Sequence, residues 1–153
     1  MLQPTNRFTL FDSLRPPQGF SFDACIATTF TLDLKALLAL PGIFAMHRDA
    51  DAVNDRPPVE ILHAIRKHAS QITIFAQAGE IAVPPSTKVF GFLEGSVIPV
   101  TAPRKGVVHP KVWVLRFTNN ERPTESTLRV IIASRNLTFD SSWDTIVRLD
   151  QSD

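Results

Sequence analysis

The sequence predicts a layered α/β domain, a mixed β-sheet flanked by helices, and three observations carry that reading. An aromatic and β-branched run over residues 22–31, a helical stretch and a second apolar run at 71–76 follow the order of a β-α-β unit with parallel pairing. The last third holds three further strand-like runs separated by polar, turn-forming residues. The composition, 44% hydrophobic and 20% charged over 153 residues, is that of a globular chain long enough to bury its own core.

Taken in order, residues 1–20 are polar and close on Pro16, Pro17 and Gly19, which reads as an arm ahead of a single domain over 21–153. Phe22 to Thr31 reads as a buried strand. Asp33 to Met46 follows as a helix, with Thr31 or Asp33 near its cap and a disturbance at Pro41. His47 to Arg56 is a charged loop, and Asn54 or Asp55 before Pro57 and Pro58 starts another helix. Val59, Leu62, Ile65 and Ala69 form its apolar face as far as Ser70, with His63 and His68 as helix-surface residues. Gln71 to Ala76 is the next strand, and the Pro- and Gly-rich stretch 79–102 holds one more around Lys88 to Phe92. Val107 to Phe117, Thr127 to Ala133 and Thr145 to Leu149 complete the sheet, with a polar turn from Asn119 to Ser126.

Several function classes are disfavoured. A net charge of +1 gives no global attraction to nucleic acid or membrane, so an anionic partner has to be met by a local patch. The N-terminus lacks the basic-then-apolar pattern of a signal peptide, and the longest apolar stretch, Ala36 to Met46, is short and broken by Pro41 and Gly42. The expectation is a soluble cytoplasmic protein. Cys25 has no internal partner and reads as a core thiol. His47 with Asp49 and Asp51 lacks the ligand spacing of a metal site, and neither metal nor cofactor is expected.

The chemistry concentrates in VVHPKVWVLRF (107–117) and LRVIIASRNLTFDSSWDTIVRLD (128–150). Residues two apart on a strand share a face, so His109 pairs with Lys111, and Ser134 with Asn136 at the end of the next strand. Four side chains suited to a phosphate then meet in one small area. A phosphodiester needs a nucleophile, a fixed cation for the non-bridging oxygens and neutral donors completing the cradle. His109 supplies a ring nitrogen, Lys111 a point charge, Asn136 an amide and Ser134 a hydroxyl that donates to phosphate or orients a neighbour. From Arg104 to Phe117 there are four cations, Arg104, Lys105, Lys111 and Arg116, and no acid. Trp113 reads as core, Trp143 as either a packing residue or a stacking platform for a base, and Arg135 as structural or at an interface.

H-P-K in a strand followed by S-R-N-L-T after the next strand resembles the H-x-K and S-x-N motifs of the phospholipase D superfamily, which includes phospholipases, metal-independent nucleases and tyrosyl-DNA phosphodiesterases. The resemblance covers residues 104–150 and implies a phospholipase D-type half-domain. It implies that His109 forms a phosphohistidine, that Lys111 and Asn136 bind the phosphate, and that Asp144 orients a histidine. Arg116 stands where that motif carries an aspartate, a departure shared with tyrosyl-DNA phosphodiesterases, and Ala133 replaces the common glycine. The family site is built from two such motifs, whereas His47, His63 and His68 lack a lysine two residues on. The second motif is expected from a dimer mate or from the C-terminal half of a longer chain. The resemblance thus implies a metal-independent phosphodiesterase, a nuclease acting on nucleic acid. The alternatives are a non-catalytic phosphate- or nucleic-acid-binding module and, with less support, a lipid phosphodiesterase.

Overall fold

The structure, a computed structural model, describes residues 9–46, 63, 66–85, 88–140 and 143–152. The predicted loop 47–56, with His47, Asp49 and Asp51, and most of the predicted helix 57–70 lie outside the described residues.

The sheet is built on β1 (Phe20–Thr29), β3 (Ile72–Gln77), β5 (Val97–Val100), β6 (Val112–Asn119), β7 (Ser126–Ala133) and β8 (Ile146–Asp150), in the order β5-β3-β1-β6-β7-β8. β1, β3 and β5 run parallel, while β6, β7 and β8 pair antiparallel with their neighbours. The mixed sheet anticipated from the sequence is therefore present, with its parallel half made by the crossover through α2 (Leu34–Met46). A separate two-stranded pairing joins β2 (Leu32–Asp33) to β4 (Ile81–Ala82).

One face of the sheet is covered. Phe22, Cys25, Ala27, Ile72, Ile74, Ala76, Trp113, Leu115, Phe117 and Ile131 are buried there, together with Ala36, Leu37, Leu40 and Phe44 of α2. Phe22 and Cys25 are three apart, out of step with a two-residue period. A bulge between Phe22 and Ala24 resets the register and turns both inward. Phe22 then stacks on Phe44 of the helix, with ring centroids 3.7 Å apart. Pro41 lies within α2 without ending it. Trp113 and Cys25 take the core positions expected of them, and burial pushes the Cys25 thiol up to about 12. His68 is half-buried against Phe22 and Phe44 instead of lying on a helix surface, and desolvation lowers its pKa even though Gln71 hydrogen-bonds its Nδ1.

Two elements differ from the sequence expectation. Lys88–Ser96 is a 3-10 helix and not a strand, and the strand of this region is β5. Phe90, Leu93 and Ser96 recur every three residues, which puts them on one face of a 3-10 helix against the core. The stretch read as an arm contains α1 (Leu10–Leu14), capped by a reciprocal pair in which Thr9 and Asp12 bond each other's backbone N–H. Five residues do not hold a helix in water by themselves. Leu10 and Leu14 insert into the core, and Arg129 of β7 draws in the backbone that follows. Its Nη1 donates to the carbonyls of Ser13 (2.8 Å) and Arg15 (2.6 Å), its Nε meets Asp150 Oδ1 at 2.5 Å, and its guanidinium lies 5.1 Å from the Phe117 ring centroid. At 2% exposed, Arg129 is the largest fully buried side chain among the described residues.

Replacing Arg129 by methionine keeps the volume but strips these donors from two carbonyls, and is expected to lower stability by about 2–3 kcal/mol. Urea denaturation followed by circular dichroism checks this. A loss below about 0.5 kcal/mol, the level of an ordinary surface substitution, would show that the guanidinium does not dock the N-terminal helix.

Candidate active site at the β1–β6–β7 edge

β1, β3 and β7 end at one edge of the sheet, where β6 and β8 begin. His109 and Lys111 do not lie within a strand. β6 starts at Val112, and residues 106–111 cross the edge as extended chain without ladder pairing. Pro110 explains the late start, because it has no N–H to give to a neighbouring strand. Side chains and one backbone bond replace the ladder. Gln77 Oε1 at the end of β3 accepts from Val108 N at 2.8 Å, and Thr28 Oγ1 of β1 accepts from Val112 N at 3.1 Å. Lys111 O accepts from Ala133 N at 2.9 Å. The H-P-K segment is thus pinned from both sides.

His109 is exposed while Lys111 is 6% exposed. The Lys111 ammonium lies along the imidazole, 2.9 Å from Nε2 and 3.1 Å from Nδ1, and donates to the His109 carbonyl at 2.9 Å. Burial lowers the Lys111 pKa, because the charged form loses water it would keep at the surface. The pair therefore combines an accessible imidazole with a buried amine set against it.

The Asn136 amide reaches the same place by way of β1. Its Oδ1 accepts from Phe30 N at 3.3 Å, and the Phe30 ring stands 5.4 Å from the His109 ring. The next residue is fixed too, since Leu137 N donates to the buried Thr29 Oγ1 at 3.0 Å. With its oxygen accepting from Phe30, Asn136 keeps an NH2 group that can act as a donor. Ser134 acts on a neighbour: its hydroxyl donates to Asp144 Oδ1 and accepts from Thr145 N, both at 2.9 Å. Asp144 lies 3.7 Å from Arg135, whose guanidinium also bonds Thr138 O and Asp140. Arg135 accordingly braces the 135–144 loop.

Arg104 and Lys105 are exposed on the β5–β6 connection, both in the left-handed region at φ 57° and 61°. Non-glycine residues held there cost roughly 1–2 kcal/mol each. They flank the site in sequence and are not packed into it. Trp143 is 75% exposed beyond the end of β7, so its ring is presented to solvent and not to the core. Arg116, at the departure from the motif, is ion-paired with Asp23 on the outer face of the sheet. Four residues that place the site carried no motif: Thr28, Thr29, Phe30 and Gln77. The signal they did carry was polar side chains closing the apolar runs of β1 and β3. A groove of about 690 Å³ lined by His63, Arg66, Lys67, Phe92 and Ser96 lies at the opposite end of β3, away from His109. The described residues hold no cluster of three or more metal-ligating side chains, and no described helix is long and apolar enough to cross a membrane.

Among solved structures, the chain is similar to yeast tyrosyl-DNA phosphodiesterase. A histidine-to-arginine mutant of yeast tyrosyl-DNA phosphodiesterase 1 aligns with 89% of this chain and 26% of its own, at 17% identity and a TM-score of 0.49. A second structure of the yeast enzyme aligns with 87% of this chain and 25% of its own, also at 17% identity and a TM-score of 0.49. The chain spans about a quarter of the length of these structures. No protein-family model and no curated protein sequence matches it.

The Lys111 amine is expected to titrate below the ordinary lysine value of 10.5. Its folded pKa lies under its unfolded one, so the charged form is the disfavoured one and stability rises as pH climbs from the folded toward the unfolded value. An NMR titration of the side-chain Cε resonances measures this, with Lys111→Met giving the assignment. A midpoint at or above 10.5 would contradict the burial of the charge.

Proposed function

We propose that this chain supplies one half of a metal-independent phosphodiesterase site of the phospholipase D type, acting on nucleic acid. The observation that supports the reading is the buried Lys111 ammonium against the His109 imidazole, beside Phe30, whose ring lies 5.4 Å from that imidazole and whose N–H holds the Asn136 amide oxygen.

In the mechanism, a ring nitrogen of His109 attacks phosphorus. The N–P bond forms as the bond to the leaving oxygen breaks, and that oxygen takes a proton from an acid on the opposite side. Lys111 moves from the imidazole to a non-bridging oxygen, where its charge offsets the negative charge that builds on the phosphoryl group. The Asn136 NH2 donates to a second oxygen. Water then attacks the phosphohistidine, the N–P bond breaks and the water proton passes to the group that served as acid. That acid is a second histidine from another half, contributed by a dimer mate or by a further segment of a longer chain, with Asp144 as a residue that orients a histidine. Arg104 and Lys105 present charge to the neighbouring backbone phosphates, Ser134 sets Asp144, and Trp143 offers an exposed ring on which a base stacks.

A second reading, a phosphate- or nucleic-acid-binding module without turnover, is favoured by one observation. Among the described residues, the histidines other than His109 do not stand at this edge: His68 packs against Phe22 and Phe44, and His63 lines the groove at the far end of β3.

In EDTA, hydrolysis of bis(p-nitrophenyl) phosphate and of single-stranded DNA is expected to fall at least 10³-fold in His109→Ala and about 10²-fold in Lys111→Met. The far-ultraviolet circular dichroism should be unchanged in both. Retained turnover in His109→Ala would overturn the mechanism. No turnover in the wild-type chain, with DNA binding that Lys111→Met weakens, would establish the binding module instead.

A further inference from the structure

We propose that the outer face of the six-stranded sheet is a docking surface for a second copy of this chain. Ile26 of β1, Val114 of β6, Leu128 and Ile132 of β7, Val147 and Leu149 of β8 and Ile98 of β5 all point away from the covered core, and they are 39–56% exposed. The register joins them into continuous rows. Ile26 lies opposite Val114, Val114 opposite Val130, and Val130 opposite Leu149. Ile132 lies between Val112 and Val147 in the adjacent row, and Phe75 lies opposite Ile98 on the parallel half.

A sheet with one solvated face alternates apolar inside and polar outside. This one does not. In V-W-V-L-R-F of β6 and L-R-V-I-I-A of β7, the outward positions are aliphatic except for Arg116, and both strands read as covered on two sides. At about 200 Å² for a fully exposed aliphatic residue, the seven expose on the order of 600 Å², the upper end for an apolar patch on a monomer and near the ~800 Å² per partner of a stable interface. Half-buried Val112, Val130 and Phe75 add to it.

Charge decides the occupant. In a twofold contact each face meets itself, so an uncompensated charge would repel its own copy. The charge on the outward strand positions, Arg116, is neutralised by Asp23 of the same chain. A strongly charged partner therefore finds nothing here to recognise, and an anionic lipid surface finds no row of cations. A second neutral, aliphatic, similarly twisted sheet fits, packing at about 10 Å with strands within about 30° of alignment. This contact rests on the sheet face and is independent of the phosphodiesterase reading.

Sedimentation equilibrium of the full chain from about 1 to 100 µM tests it. The expected species has twice the 17.0 kDa of the chain, with no larger assembly. Ile132→Glu and Leu149→Lys should each weaken association at least tenfold, while Glu121→Lys on the β6–β7 turn should leave it unchanged. If the charged variants fail to fold, the double variant Val114→Thr with Val147→Thr keeps strand propensity and should weaken association by a similar factor. A monomer across the whole range overturns the proposal, whether or not it binds phosphatidylcholine–phosphatidylserine vesicles. So does a dimer that these face substitutions leave intact, or an open-ended aggregate.

Discussion

Strand β6 is the member on which the rest of the molecule depends. It lies between β1 and β7, pairs antiparallel with both and carries Trp113, Leu115 and Phe117 into the core. Because it runs antiparallel to both, it begins at the edge where β1, β3 and β7 finish. A segment entering β6 therefore meets three strand ends at once. Pro110 holds that segment out of the ladder, and Gln77, Thr28 and the backbone of Ala133 hold it in place. The result is a stretch tethered by hydrogen bonds without being a strand, which suits side chains needed at an edge and not on a face.

The two faces of the sheet are built on different rules. The covered face is mostly aliphatic and aromatic surface, yet it takes in the guanidinium of Arg129. A guanidinium in such a place is tolerable only because its donors are spent on Asp150 and on the carbonyls of Ser13 and Arg15. Its geometry ties the first described helix to the β7–β8 end of the sheet, far from it in sequence. Asp150 feels the reverse balance. Burial raises its pKa, and hydrogen bonds from Arg129 and Arg148 outweigh that and leave it lowered. This part of the fold therefore strengthens above the ordinary carboxylate range and weakens as pH falls through the Asp150 value. The outer face carries the Arg116–Asp23 pair among aliphatic rows, and those rows make it a surface for association.

At the site, the same low-polarity surroundings serve chemistry. Lys111 is a cation set into the end of the core, against the imidazole and carbonyl of His109. Such a charge contributes little to folding and gains most when an anion arrives, which is the behaviour wanted of a phosphate-binding residue. Phe30 links the parts, since its backbone N–H holds the Asn136 oxygen and its ring stands beside the imidazole.

The sequence alone determined the α/β class, the parallel β1–β3 unit, the three C-terminal strands, the core positions of Cys25 and Trp113 and the pairing of His109 with Lys111. Each of these follows from local periodicity or from neighbours a few residues apart. It read Lys88 to Phe92 as a strand, where a three-residue repeat of apolar and small residues passes for alternation, and it extended β6 through Pro110. It took residues 10–14 for an arm, because the partner that makes a five-residue helix worthwhile, Arg129, lies over a hundred positions away. Only the tertiary structure decided that Asn136 is held by Phe30, that Gln77 pins Val108 and that Ser134 serves Asp144. The first two are contacts between strand ends far apart in sequence, and the third forms across the loop from β7 to β8. All three are set by the order β5-β3-β1-β6-β7-β8, which no local pattern encodes.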